Sequence, residues 1–171
     1  MIFKDKEQCI IDKKPFWGRV VFQKTLNWNN VIEWMNVTPK EKLHFEPKWN
    51  QIQLRDFHKN PKQPAISKAI ISELTQVFYR NKITNLAFIG LGKESESFGY
   101  HADGMDVFLV QVLSDMSVKV EGYDTKDFIV GDCVYIPRGT HHKIMPYLSR
   151  VTFSFGIEGE IDPSTYIKTY K

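Results

Sequence analysis

From Ile83 onward the chain is written almost entirely in short runs of β-forming residues, NLAFIGL, VFLVQVL, SVKVEG, DFIV, CVYIP and VTFSFGI, set apart by Gly, Asp and Ser turns. Strands this short and evenly spaced predict an antiparallel barrel or sandwich. The grammar changes near Asn81 to Thr84, because the first half mixes element types. LNWNNVIEWMN offers Asn27 or Asn29 as an N-cap and spaces Val31, Trp34 and Met35 as a short helix. ISKAIISELTQVFYRN places Ile66, Ile70, Leu74, Val77 and Phe78 on one stripe of an amphipathic helix. QIQLRDF alternates as a strand does, and DPSTYIKTY sets Asp162 as N-cap and Pro163 at the first position of a closing helical turn.

With 171 residues, 42% of them hydrophobic, the chain suits one domain with a sizeable core. The expected layout is a single domain over 1–171, with 1–82 as helical and strand support, 83–160 as the barrel core, and 161–171 as a C-terminal turn or helix. The net charge of +3 is spread over scattered lysines rather than gathered in a basic stripe, which argues against nucleic acid as a partner. No run of eighteen apolar residues exists and the amino terminus lacks an apolar export core, so neither a membrane nor a secretory route is expected. Cys9 and Cys133 are too few and too far apart for a disulfide framework or a C-x-x-C motif. A soluble protein in the reducing cytoplasm is the expectation.

Within the β-rich half, FGYHADGMDVFLVQV carries His101 and Asp103 one residue apart. Side chains two apart on a strand share a face, so both would point into the space a barrel encloses. An ionised carboxylate buried there is costly unless compensated, and a divalent metal compensates it. Later, GDCVYIPRGTHH reads as a turn at Gly131 and Asp132, a strand, and a Pro-x-Gly turn over Pro137 to Gly139, after which His142 re-enters. Such a hairpin can return a second imidazole to the first pair. Two histidines and a carboxylate make the facial triad that leaves coordination positions open, typically on non-haem Fe(II).

At these residues the chain resembles the JmjC-like cupins, the group that includes ribosomal oxygenases and the asparaginyl hydroxylase of hypoxia signalling. The likeness rests on H-x-D, on the D-V-F-x-x-Q run from Asp106 to Gln111, and on G-D-x-x-Y-I-P-x-G-x-x-H from Gly131 to His142. It covers about Asn85 to Ile157, and PFWGRVVFQKTLNWNNVIEWM is similar to the strand and helix that precede such barrels. The resemblance implies a mainly β fold, a double-stranded β-helix (the cupin or jelly-roll barrel) with N-terminal helices packed outside. It also implies Fe(II) held by His101, Asp103 and His142, with 2-oxoglutarate as cosubstrate in a hydroxylase reaction.

The chain departs from that family at one place that matters. The family sets a Lys or Arg about a dozen residues beyond the metal aspartate, to pair with the far carboxylate of 2-oxoglutarate, and here that place falls near Met116. Arg150 is the substitute. RVTFSFGI alternates Arg150, Thr152 and Ser154 against Val151, Phe153 and Phe155, so the polar set would line the cavity if the aromatic set packs outward. A guanidinium fork suits a carboxylate, and the two hydroxyls would complete its hydrogen bonds.

Several residues have plainer readings. His141 is assigned to the opposite face, with the off-by-one alternative that it is the ligand instead of His142. Asp106 is read as capping the turn after Gly104, Tyr100 as packing, Lys119 as facing water, and His44 and His58 as surface residues without a ligand set. Trp17, Trp28, Trp34 and Trp49 are assigned to core or to an interface, which offers a site for a homodimer. Two functional classes follow. One is an Fe(II)- and 2-oxoglutarate-dependent dioxygenase acting on a small molecule, peptide or protein. The other is a metal-binding cupin without oxoglutarate chemistry, as a different enzyme, a sensor or a binding module.

Overall fold

The run DVFLVQVL is apolar on both faces, and Asp106–Leu113 is a strand whose residues up to Val112 are buried without interruption. A strand with no wet face must sit in the middle of its sheet with layers above and below. The computed structural model, which describes residues 2–95 and 98–161, shows both layers.

The elements in chain order are α1 (Glu7–Ile11), β1 (Phe16–Arg19), α2 (Trp28–Val37), β2 (Leu43–Glu46), β3 (Gln51–Leu54), α3 (Ala65–Val77) and β4 (Lys82–Gly90), then β5 (Asp106–Leu113), β6 (Met116–Val120), β7 (Lys126–Phe128), β8 (Asp132–Ile136), β9 (His142–Pro146) and β10 (Arg150–Glu158). A seven-stranded sheet runs β1-β8-β5-β10-β4-β3-β2, and a three-stranded sheet β7-β6-β9 faces it. Every pairing is antiparallel. This is the mainly β jelly-roll arrangement expected from the sequence. The expected closing turn at Asp162 and Pro163 lies outside the described residues.

Alternation along β5 and β10 divides the interior in two. Phe108, Val110 and Val112 of β5, with Val151, Phe153 and Phe155 of β10, join Trp34, Phe57, Ile70 and Leu74 in the core beneath the helices. Val107 and Leu109 turn the other way and meet Met116, Val118, Val120 and Ile144 of the smaller sheet. The first half is therefore bound into the barrel's outer core: Trp34 packs edge-on against Phe57 with ring centroids 5.2 Å apart and touches Phe153 at 5.8 Å.

The sequence-predicted helices both form. Asn27 caps α2 by accepting from the backbone of Asn29 and Asn30 while the Asn30 side chain accepts from the Asn27 backbone, a closed capping box. The division into support and barrel is less clean than the expected boundary at 82. The larger sheet takes β1, β2 and β3 from the first 82 residues, and α1 and β2, of five and four residues, are too short to stand out in the pattern.

Candidate metal and anion site

His101 reaches the site through one isolated antiparallel bridge to His142, with each backbone N–H donating to the other's carbonyl at 3.1 and 2.7 Å. Sequence reasoning put His101 and Asp103 on one regular strand; instead β5 begins only at Asp106, and Asp103 lies in the loop ahead of it. Gly139 N–H donates to the Asp103 carbonyl at 3.0 Å, so the Pro-x-Gly turn itself fixes the carboxylate's place. His101 and Asp103 are thus brought to one place by a loop pinned at both ends, and not by a shared strand face.

The three side chains converge. Asp103 Oδ2 lies 3.5 Å from His142 Nε2 and Oδ1 lies 4.0 Å from His101 Nε2, and one donor atom from each residue falls within 4.8 Å of the others. Among the described residues this is the single group of His, Cys, Asp and Glu arranged in this way. His142 is 3% exposed, His101 24% and Asp103 36%, so the donor set opens on the aspartate side. His101 Nδ1 sits 3.3 Å from the Gly99 carbonyl and His142 Nδ1 3.2 Å from the Thr140 carbonyl. A carbonyl only accepts, so each Nδ1 carries a proton and each ring turns its Nε2 edge toward Asp103, the edge a metal would bind. Burial pushes the His142 pKa below its ordinary value, with the neighbouring His101 adding to the shift, while the Thr140 carbonyl and Asp103 oppose it.

His141 faces away, as expected. Its ring stacks on exposed Tyr100 with centroids 5.5 Å apart, and its Nδ1 lies 3.2 Å from Glu121. His44 pairs with Glu46 at 3.5 Å and is no member of the triad's donor group.

Beneath the donor set lies a cavity of about 150 Å³ between the sheets, lined by His101, Asp103, His142, Arg150, Thr152 and Ser154 and walled by apolar side chains that include Leu86, Phe88, Phe98 and Ile144. The expected alternation along β10 therefore holds: its polar face lines the cavity and its aromatic face packs outward. Arg150 is 1% exposed. Its Nη1 donates to Thr152 Oγ1 at 2.7 Å and its Nη2 to the Ser95 carbonyl at 3.3 Å. Its Nε is buried without a hydrogen-bond partner, and among the described residues no carboxylate pairs with it. Burial alone brings its pKa down to about 10, which still leaves it charged at neutral pH. Gly90 makes room for it: a Cβ there would collide with Ser95 Oγ and come within 3.2 Å of Arg150 Cγ.

Two expectations are refined by the hydrogen-bond directions. Thr152 gives its hydroxyl proton to Gln111 Oε1 at 2.8 Å, so it has none to offer a ligand, and of the two hydroxyls expected on β10 only that of Ser154 stays available to one. Asp106 binds not the turn after Gly104 but the later one: its carboxylate accepts from Arg138 N–H at 2.6 Å and from Tyr135 O–H at 3.1 Å. Met116 is fully buried with its sulfur 3.7 Å from the Thr152 hydroxyl. Its strand thus brings position 116 to the neighbourhood that Arg150 enters from β10.

Ser95 and Phe98 were missed from sequence. Both lie between β4 and β5, where no periodicity marks a residue as inward-facing, yet the Ser95 carbonyl accepts from Arg150, and the Phe98 ring meets His101 edge-on at 5.6 Å. Gln111 carried a signal that could have been read, a lone amide in an apolar strand.

No protein-family model matches the chain, and no curated protein matches it in sequence. Solved structures do match in fold. YcfD, a ribosomal oxygenase from Escherichia coli, aligns with a TM-score of 0.69 at 14% identity over 98% of this chain and 54% of that one. The same enzyme in complex with cobalt and 2-oxoglutarate aligns with a TM-score of 0.66 over 94% and 53%, again at 14% identity. Its complex with cobalt and succinic acid gives 0.67. The chain spans about half the length of these structures, and at this identity what it shares with them is the fold.

Proposed function

We propose that this chain is an Fe(II)- and 2-oxoglutarate-dependent dioxygenase. The observation that carries the reading is the placement, in one small cavity, of a His–Asp–His donor set and a fully buried arginine that pairs with no carboxylate among the described residues. A buried cation without a counter-charge costs several kcal/mol unless an anion joins it, and a dicarboxylate that also chelates a metal would satisfy both ends. The YcfD complexes with 2-oxoglutarate and with succinic acid support the assignment on the same fold.

In this reading His101, Asp103 and His142 hold the metal, with Fe(II) favoured by the two-imidazole, one-carboxylate donor chemistry. Iron with 2-oxoglutarate supplies, when bound, the oxidation of a substrate C–H bond by dioxygen. The protein's share is placement. The Gly99 and Thr140 carbonyls hold the two imidazoles in the ligating tautomer. Arg150 receives the distal carboxylate through its open N–H groups, and the Ser154 hydroxyl contributes a further donor. Leu86, Phe88, Phe98 and Ile144 keep the cavity dry, which strengthens each of these polar interactions.

The substrate class the neighbour favours is a protein or peptide, since the matched structure is a ribosomal oxygenase. Among the described residues no helix is long and apolar enough to cross a membrane, and the two free thiols, Cys9 and Cys133, accord with a cytoplasmic setting. The competing reading, a metal-binding cupin without oxoglutarate chemistry, is favoured by one observation, the methionine at position 116. The two readings separate on turnover. Protein supplied with Fe(II), ascorbate, 2-oxoglutarate and air should release succinate, followed by proton NMR, well above the rate of iron alone, and Asp103→Ala should not. Succinate no faster than the iron control would favour the second reading.

A further inference from the structure

The Thr152 hydroxyl beside Arg150 is held by a residue that does not line the cavity. Gln111 and Thr152 are direct cross-strand partners on β5 and β10, at the point where the register of that pair shifts. Gln111 is wholly buried. Its amide nitrogen donates to the Leu113 carbonyl at 2.8 Å and to the Ser114 carbonyl at 2.6 Å. Both partners only accept, so the amide cannot be flipped, and its oxygen must face Thr152. That oxygen takes the Thr152 hydroxyl proton at 2.8 Å, and the hydroxyl oxygen then accepts from Arg150 Nη1 at 2.7 Å. The polarity of the whole chain is thereby set from the β5–β6 turn, where Ser114 holds a left-handed φ of 61° and directs its carbonyl to the amide.

We propose that Gln111 is a positioning residue for cosubstrate selection: acting through Thr152, it fixes the Arg150 guanidinium so that its unused N–H groups face the cavity as a dicarboxylate receptor. Donating its proton to Gln111 also makes the Thr152 oxygen a stronger acceptor for Arg150. The inference rests on the reading that Arg150 meets the distal carboxylate of 2-oxoglutarate, and it adds the residue that sets how well it does so.

The test compares 2-oxoglutarate with 2-oxopentanoate, which has the same chelating end and chain length but no distal carboxylate. Dissociation constants for both are measured anaerobically on the Fe(II)-loaded full chain. Wild type should prefer 2-oxoglutarate strongly; no preference would overturn the Arg150 reading itself, before any Gln111 substitution is considered. Gln111→Met should cut the preference about tenfold, the scale of one lost hydrogen bond to a charged group, through weaker 2-oxoglutarate binding alone. Thr152→Val should do the same, and the double variant no more than either, because both act on one chain. Equal weakening of the two acids, additive losses in the double variant, or a preference that holds or rises would each overturn the proposal. Should Gln111→Met not fold, Gln111→Glu has the same size and places a negative charge one hydroxyl away from the guanidinium. It should lower the preference as well, and an unchanged ratio there contradicts the assignment.

Discussion

At the residue scale the site separates ligand from neighbour by a single position. His142 is buried with its Nε2 toward Asp103, whereas His141 is exposed and stacked on Tyr100. His101→Ala, Asp103→Ala and His142→Ala should each abolish stoichiometric Fe(II) binding in anaerobic titrations, because two remaining donors hold the ion poorly against water. His141→Ala should bind as wild type does. The reverse pattern at 141 and 142 would show that the other imidazole is the ligand. Arg150→Met should leave metal binding intact and weaken 2-oxoglutarate on the order of a hundredfold, about 3 kcal/mol, the scale for removing one partner of a buried charged pair. The triad residues were legible because histidine and aspartate are conspicuous in a β-rich chain. Arg150 was legible from strand alternation. The direction of the Thr152 hydroxyl was not, since it depends on Gln111 across the sheet and on two carbonyls of a turn.

At the scale of elements, the β8–β9 turn is the part that presents His142, and Asp106 is its tether. The carboxylate joins the first residue of β5 to the Arg138 N–H of the turn and to the Tyr135 hydroxyl of β8. Removing it takes one charged acceptor from the Arg138 N–H and from the Tyr135 hydroxyl, at about 1–3 kcal/mol each. Asp106→Ala should therefore lower the urea midpoint and weaken Fe(II) binding even though Asp106 is no ligand. Asp106→Asn, which keeps an acceptor, should recover most of both. Unchanged metal affinity in Asp106→Ala would mean that the bridge between His101 and His142 holds the turn alone. The long strands were readable from period and composition. The His101 segment was not a strand at all, because a single bridge and a turn's N–H can place a side chain without any repeating pattern.

For the whole molecule, β5 and β10 are shared walls: one face of each closes the outer core beneath α2 and α3, and the other closes the cavity. The outer core draws Phe3, Phe16, Trp34 and Leu74 from the first half and Phe108, Phe153 and Phe155 from the second, so the chain should unfold as one unit. Trp34→Ala should cost about 3–5 kcal/mol, the range for deleting a buried aromatic, and urea curves followed by fluorescence and by far-UV circular dichroism should coincide. An early proteolytic cut near Asn81 that frees a folded fragment would contradict a single domain. Joining the first half to the sheet was only partly legible, because β1, β2 and β3 are four residues each and acquire their meaning from the neighbours they pair with. The central claim is that one cavity holds both a metal and a dicarboxylate, and the most direct measurement is an anaerobic titration of the Fe(II)-loaded protein with 2-oxoglutarate, watched by visible absorption. The account predicts a weak charge-transfer band that saturates at one equivalent in wild type and needs far more ligand in Arg150→Met. Protein that binds Fe(II) yet develops no band at any 2-oxoglutarate concentration would contradict it.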